Sequence, residues 1–146
     1  MFKPISREEY HKKMNGVEIL DKDNCPFCKV KDQEGHIIWK GKYFYLLYNL
    51  SSYSGDHRHI MAVPYDHIVL SKDLTSNHLT ELAEVYKEVE KFFAGESYFS
   101  FTRETLLNRS VEHLHMHFLG GKLEGKFLRK MLELQGYPIN QKLVLN

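Results

Sequence analysis

The stretch EHLHMHFLGG, residues 112–121, constrains this chain more than any other feature. His113, His115 and His117 alternate with Leu114, Met116 and Phe118. A period of two is the signature of a β-strand between two unlike environments. As a strand, the stretch puts the three imidazoles on one face, about 6–7 Å apart. The three apolar groups then face a core. Wound as a helix, it would scatter the histidines around the axis. Gly120-Gly121 ends the strand at residues that tolerate unusual backbone angles. A strand with one wet face needs polar residues, yet Thr, Lys or Glu would meet that need as well. Three histidines in succession point to chemistry.

The rest of the chain supplies an ordinary globular frame. At 146 residues it is long enough for one domain with one real core. Its 42% hydrophobic and 27% charged residues are the proportions of a folded protein. A net charge of +1 gives no bulk attraction to nucleic acid or to a membrane surface, and neither is expected as a partner. No apolar run approaches a membrane span. The opening MFKPISREEYHKKMNG is charged and lacks an apolar secretory segment. A soluble, cytoplasmic protein is the expectation. Cys25 and Cys28 are the only cysteines, too few to staple a secreted scaffold.

Several elements can be read along the chain. SREEYHKKM (6–14) has the pattern of a surface helix or arm. NCPFC (24–28) reads as a tight turn. HIIWKGKYFYLLYNL (36–50) holds two strand-like runs around Gly41. SSYSGDH (51–57) reads as a loop, and RHIMAVPYDHI (58–68) as a strand with Pro64 at its end or edge. Ser76-Asn77 offers a helix start. From there Leu79, Leu82, Tyr86, Val89 and Phe93 recur at three- and four-residue spacing, which predicts an amphipathic helix over 77–94 stopped by Gly95. SYFSFTRET (97–105) reads as a strand, LLNRSVE (106–112) as a connection, and GKFLRKMLELQGY (125–137) as a short helix with a glycine stop. Neighbouring strands broken by one long helix predict an α+β fold with a mostly antiparallel sheet.

Three constellations carry chemistry. Cys25-Pro-Phe-Cys28 is half of a zinc site, a redox dithiol, or two incidental buried thiols. A redox motif would open a helix after a strand in a βαβ unit, and that pattern is missing around it. Zinc would need two histidines, for which His67 and His113 are candidates; spacing equally admits His59, His115 or His117. The histidine strand is the second. Imidazoles at i and i+2 can share a metal, or one can attack phosphorus while its neighbours orient it and neutralise phosphate oxygens. A hydrolytic metal centre there would want a carboxylate base, and alternation puts Glu112 on the opposite face. The third is Asn108-Arg109-Ser110 at the strand entry, where Arg109 suits a phosphate and Ser110 offers a hydroxyl.

HLHMHFL (113–119) resembles the motif of the histidine-triad (HIT) family, His-φ-His-φ-His-φ-φ with φ apolar. HIMAVPYDHI (59–68) is similar to that family's strand of form His-φ-φ-φ-φ-Pro-x-x-His-φ. CPFC resembles the cysteine pair of its zinc-containing branch. The likeness spans about residues 25–121 of a single 1–146 domain, the core of a HIT-like fold with N- and C-terminal extensions. It implies an antiparallel sheet of about five strands, one long helix, short terminal helices and a homodimer. It implies a nucleotide or nucleotide conjugate as ligand, attacked at its α-phosphorus to give a nucleotidyl-histidine intermediate. His115 would be the nucleophile, and His117 would contact phosphate. Asn49 would meet the ribose hydroxyls, His59 would stand beside the triad, and Ser110 would meet phosphate or leaving group. The resemblance implies structural zinc on Cys25, Cys28, His67 and His113. The chain departs from the family where Asn108-Arg109-Ser110 replaces the usual Gly-Gln-Ser, so Arg109 adds charge where a neutral amide is usual. Tyr65-Asp66 replaces the basic residues often found after the proline.

Overall fold

The computed structural model describes residues 22–53, 57–104, 111–123, 125–134 and 136. The expected helix over 6–14 and the Asn108-Arg109-Ser110 entry lie outside them. Five antiparallel strands form the sheet: β1 (Ile37–Lys40), β2 (Phe44–Tyr48), β3 (His59–Pro64), β4 (Tyr98–Phe101) and β5 (Met116–Gly120). Their spatial order is β1-β2-β3-β5-β4. A long helix, α1 (Ser76–Phe93), joins β3 to β4, and a second, α2 (Gly125–Leu134), follows the sheet. A 3-10 segment, Val30–His36, precedes β1.

The order of strands explains the burial of the histidines. β3 and β4 both run antiparallel to β5, so they are parallel to each other with one strand's width between them. The crossover through α1 leaves that slot, and β5 fills it. The last triad residue therefore stands on a central strand, flanked in register by Met61 of β3 and Phe101 of β4. Regular strand structure starts only at Met116. His113 and His115 stand in the entry to the strand, so the expected strand over 113–119 is shorter at its front.

Alternation along each strand sorts side chains to two faces. Phe44 and Leu46 of β2, Ile60 and Ala62 of β3, and Phe118 of β5 pack with Val85, Val89 and Phe93 of α1. Tyr45 and Leu47, with Met61 and Val63, point the other way and pack with Cys25, Phe27 and Val111. Both faces of the sheet are thus covered, one by a helix and the other by the cysteine segment. Each fully buried aliphatic side chain there contributes about 1.5–3 kcal/mol through burial.

Helix α1 presents a different stripe from the expected one. His78, Val85, Val89 and Phe93 are buried, whereas Leu79 is 56% exposed and Tyr86 41% exposed. The stripe begins one residue earlier because His78 lies inward, a position that hydropathy assigns to Leu79. Thr75 is the N-cap: its hydroxyl receives the His78 amide, and His78 Nδ1 in turn receives the Thr75 amide at 3.3 Å. His78 does here what Glu usually does in a capping box. Its Nε2 lies 3.2 Å from an Asp66 carboxylate oxygen, and its ring packs on Tyr43 and Phe44. At the other end Ala94, with φ of 52°, begins the left-handed turn one residue before the expected Gly95.

Candidate functional site

The cysteine segment folds over the end of the sheet and brings two groups together. Cys25 Sγ lies 3.3 Å from His113 Nδ1. Cys28 Sγ lies 3.3 Å from His67 Nδ1 and 3.5 Å from His113 Nδ1. All four donor atoms fall within 4.8 Å of one another. A tetrahedral zinc with ordinary Zn–S and Zn–N bonds has an S···N edge of about 3.5 Å, so the quartet fits that ion. The tautomer fits as well. Nε2 of His113 stands 2.9 Å from the Pro64 carbonyl oxygen, which only accepts, so the ring proton sits there. Nδ1 of His113 is left with its lone pair toward both sulfurs, the outer hydrogen bond that orients a metal-binding histidine. Burial, and after it the adjacent Cys25, push the Cys28 thiol up to about 12, so two thiolates at this spacing need a cation to hold them. Of the histidines that spacing alone admitted, His67 and His113 join the cysteines; His59, His115 and His117 do not.

The second group starts one residue along. His115 Nδ1 donates to the His113 carbonyl at 2.6 Å, so its Nε2 keeps the lone pair. Its ring centroid is 4.9 Å from that of His117 and 5.3 Å from that of Phe27, one of the two residues between the cysteines. His117 is stacked on Phe101 at 4.6 Å and 11°.

His59 closes the constellation from β3. The Tyr53 amide donates to its Nδ1 at 3.2 Å, which puts the neutral ring's proton on Nε2. That proton is donated to His117 Nδ1 at 2.8 Å, and His117 then carries its own on Nε2. The Asn49 amide nitrogen is 3.3 Å from the same His59 nitrogen; both carry hydrogen, so this is a contact rather than a bond, and the amide nitrogen donates instead to Met61 Sδ at 3.4 Å. The amide is oriented by its oxygen, which receives the Ser51 amide at 2.8 Å. Burial, and after it His115, hold His59 down near about 3, so it stays neutral across the physiological range.

A pocket opens on this face. His115 and His117 form its floor, and Phe27, Leu47 and Met61 give apolar walls. Asn49, Ser51, Gln33 and Arg103 bring polar groups to it. The sequence reading names Asn49, His59, His115 and His117, and the fold gathers all four. Arg109 and Ser110 lie outside the described residues. Arg103, Phe27 and Gln33 were not read as site residues. Phe27 had a signal, since a residue between two metal-binding cysteines must lie close to whatever the metal adjoins. Arg103 becomes visible only through the pairing of β4 with β5.

Among the described residues no helix is long and apolar enough to cross a membrane. The family model "Scavenger mRNA decapping enzyme C-term binding" matches residues 24–132. No curated protein matches the chain. Among solved structures, a histidine triad family hydrolase from Clostridium thermocellum is similar at 24% identity and TM-score 0.55, over 70% of this chain and 95% of that one. A zinc-bound histidine triad family protein from Mycobacterium smegmatis is similar at 16% identity and TM-score 0.58, over 73% and 81%. A protein titled "Hit Like Protein" is similar at 20% identity and TM-score 0.57, over 67% and 99%. With that family match and its triad at the entry and start of β5, the chain belongs to the scavenger decapping C-terminal family, a histidine-triad family, and carries the N-terminal Cys-x-x-Cys.

Proposed function

We propose that this protein is a nucleotidyl hydrolase or transferase acting at the α-phosphate of a nucleotide conjugate, either a phosphoramidate or a dinucleoside polyphosphate. The observation that carries the reading is the hydrogen bond from His115 Nδ1 to the His113 carbonyl, which leaves a nucleophilic lone pair on Nε2 of a residue lining the pocket. In this reading His115 Nε2 attacks the α-phosphorus and the leaving group departs. Water or another acceptor then releases the nucleotide from His115. His117, held by His59, directs its Nε2–H to a phosphoryl oxygen. Asn49 meets the ribose hydroxyls, and Ser110 and Arg109 contact phosphate or leaving group. Oriented donors of this kind are the main source of rate in phosphoryl transfer. The family's name, which refers to a decapping enzyme, and the related hydrolase support a reaction on a nucleotide.

The same reading assigns zinc to Cys25, Cys28, His67 and His113. With four protein ligands the ion would be closed to substrate and would hold His113, and through its carbonyl His115, in place. It includes a homodimer, a single domain over 1–146 and a cytoplasmic setting.

Mass spectrometry of protein mixed with a nucleoside phosphoramidate or a dinucleoside polyphosphate tests it, with the quench kept away from acid because a phosphoramidate is acid-labile. A nucleotidyl adduct on His115 is the expected result. Nucleotide binding with neither adduct nor turnover would replace the enzyme by a nucleotide-binding module, the second reading this pocket allows.

A further inference from the structure

We propose that Arg103 is the specificity residue that receives a phosphate leaving group, so that the pocket favours nucleotides joined through a polyphosphate over those joined to an amine. This rests on the nucleotidyl-transfer reading of His115.

The sheet places Arg103. Phe101 pairs with His117, and the β4–β5 ladder is antiparallel. The ladder ends at that pair; Arg103 lies two residues past Phe101 and His115 two residues before His117, each just beyond the end of its strand. Phe101 lies on the histidine face, because its ring stacks on His117. Its half-buried side chain lines the same pocket as His115 and His117. Glu104 points the other way, where its carboxylate accepts from the amide and hydroxyl of Ser71. That tie fixes the exit of β4.

Charge and polarity divide the pocket at β5. Leu47, Met61 and Asn49, on β2, β3 and the turn between them, form an apolar wall with one amide, suited to a nucleoside. Across His115, on the β4 side, stands Arg103, the only Lys, Arg, Asp or Glu among the described residues that line the pocket. A nucleoside held on the first side leaves the far substituent of the α-phosphorus on the second. A planar guanidinium is suited to phosphate oxygens and has no acceptor for an amine.

The leaving step agrees. Nε2 of His115 forms a bond to phosphorus, and the bond from phosphorus to the bridging oxygen breaks. The oxygen keeps the electron pair and departs as a phosphate anion. It needs no proton, and Arg103 would offset its charge. An amine leaving group would have to take up a proton in the same step and would gain nothing from a fixed cation. Water then attacks phosphorus, frees His115 and gives up its proton to solvent.

The test compares native protein, Arg103→Gln and Arg109→Gln on a diadenosine polyphosphate and on an adenosine phosphoramidate. Arg103→Gln is expected to lower kcat/KM for the polyphosphate about 100-fold, the scale of one lost charge-stabilising donor. The loss on the phosphoramidate should be at least tenfold smaller. Calorimetry with ATP and AMP supplies a readout that does not need turnover. Native protein should bind ATP more tightly than AMP, and Arg103→Gln should lose most of that ratio while its melting temperature stays near native. Equal losses on both substrates, an unchanged ATP-to-AMP ratio, or a loss that follows Arg109 in place of Arg103 overturns the proposal. A ratio that collapses in protein without turnover upholds Arg103 and removes the nucleotidyl-transfer reading.

Discussion

Nε2 of His59 lies 2.8 Å from Nδ1 of His117, both rings buried. This diagonal pair across β3 and β5 works only if both imidazoles are neutral, because each proton is already committed. Burial, then His115, depress His59 to about 3, well below the ordinary histidine value of 6.5. The unfolded chain therefore takes up this proton at a higher pH than the folded one. The contribution is fully present above pH 6.5 and falls as pH drops toward 3. Its slope is about 1.4 kcal/mol per pH unit where the unfolded histidine is protonated and the folded one is not. Urea denaturation at pH 7.5 and pH 5 should show native protein losing stability on acidification. His59→Gln should lose less, by the share of one proton. Equal losses would place the acid sensitivity in other groups.

Glu81 carries a different kind of weight. One carboxylate oxygen accepts from the Lys42 amide at 2.6 Å, the other from the Tyr43 and Phe44 amides at 2.7 and 2.8 Å. A side chain of α1 thereby caps the turn between β1 and β2 and fixes the helix against the sheet. Gly41 belongs to the same arrangement, since a Cβ there would come within 2.4 Å of Trp39 and 2.8 Å of Glu81. Glu81→Gln keeps one acceptor oxygen and turns an NH2 toward backbone donors. The expected loss is about 2 kcal/mol, or roughly 4–8 °C in Tm for a chain of this size. Calorimetric melting decides it, and a shift under 1 °C would show that water replaces the carboxylate.

The sequence disclosed the site better than it disclosed the scaffold's details. Alternation alone put His115 and His117 on one face with Phe118 opposite. The two cysteines with His67 and His113 emerged through the family's motif, because four ligands spread over 89 positions have no spacing rule of their own. Local pattern failed where tertiary context decided. His78 counts as polar in any hydropathy reading, yet the Thr75 cap engages its Nδ1 and Tyr43 and Phe44 pack on its ring in the core, which rotates the buried stripe of α1 off Leu79. Arg103 looked like one basic residue in a strand exit. Only the pairing of β4 with β5 brings the exit of β4, and Arg103 with it, to the pocket that His115 lines.

Zinc removal gives a prediction about folding. If Cys25, Cys28, His67 and His113 hold the ion, Cys28→Ser should leave purified protein with well under one zinc per chain and a clearly lower Tm, because structural zinc contributes to folding. Metal analysis and melting should move together. The two lining residues of the pocket adjoining the quartet, Phe27 and His115, should then loosen, which intrinsic fluorescence does not report but hydrogen exchange at Phe27 does. Metal-free native protein with an unchanged Tm would end the zinc assignment.

The three triad histidines should fail in three different ways. Nε2 of His115 has no part in the zinc quartet, and its Nδ1 bond goes to backbone. His115→Ala is therefore expected to keep fold, zinc and nucleotide binding while turnover falls about 10⁴-fold or more, as loss of a covalent nucleophile does. His117 supports the reaction through one ring nitrogen, so His117→Ala should cost about 10²-fold. His113 contributes Nδ1 to the quartet and its carbonyl to His115. His113→Ala keeps the carbonyl and removes the ligand, so its first sign should be lost metal and lower Tm, with activity lost as a consequence. Steady-state rates, metal content and melting on the three variants separate these outcomes. A His115→Ala protein that turns over at the native rate would rule out the covalent route, whatever the other two variants do.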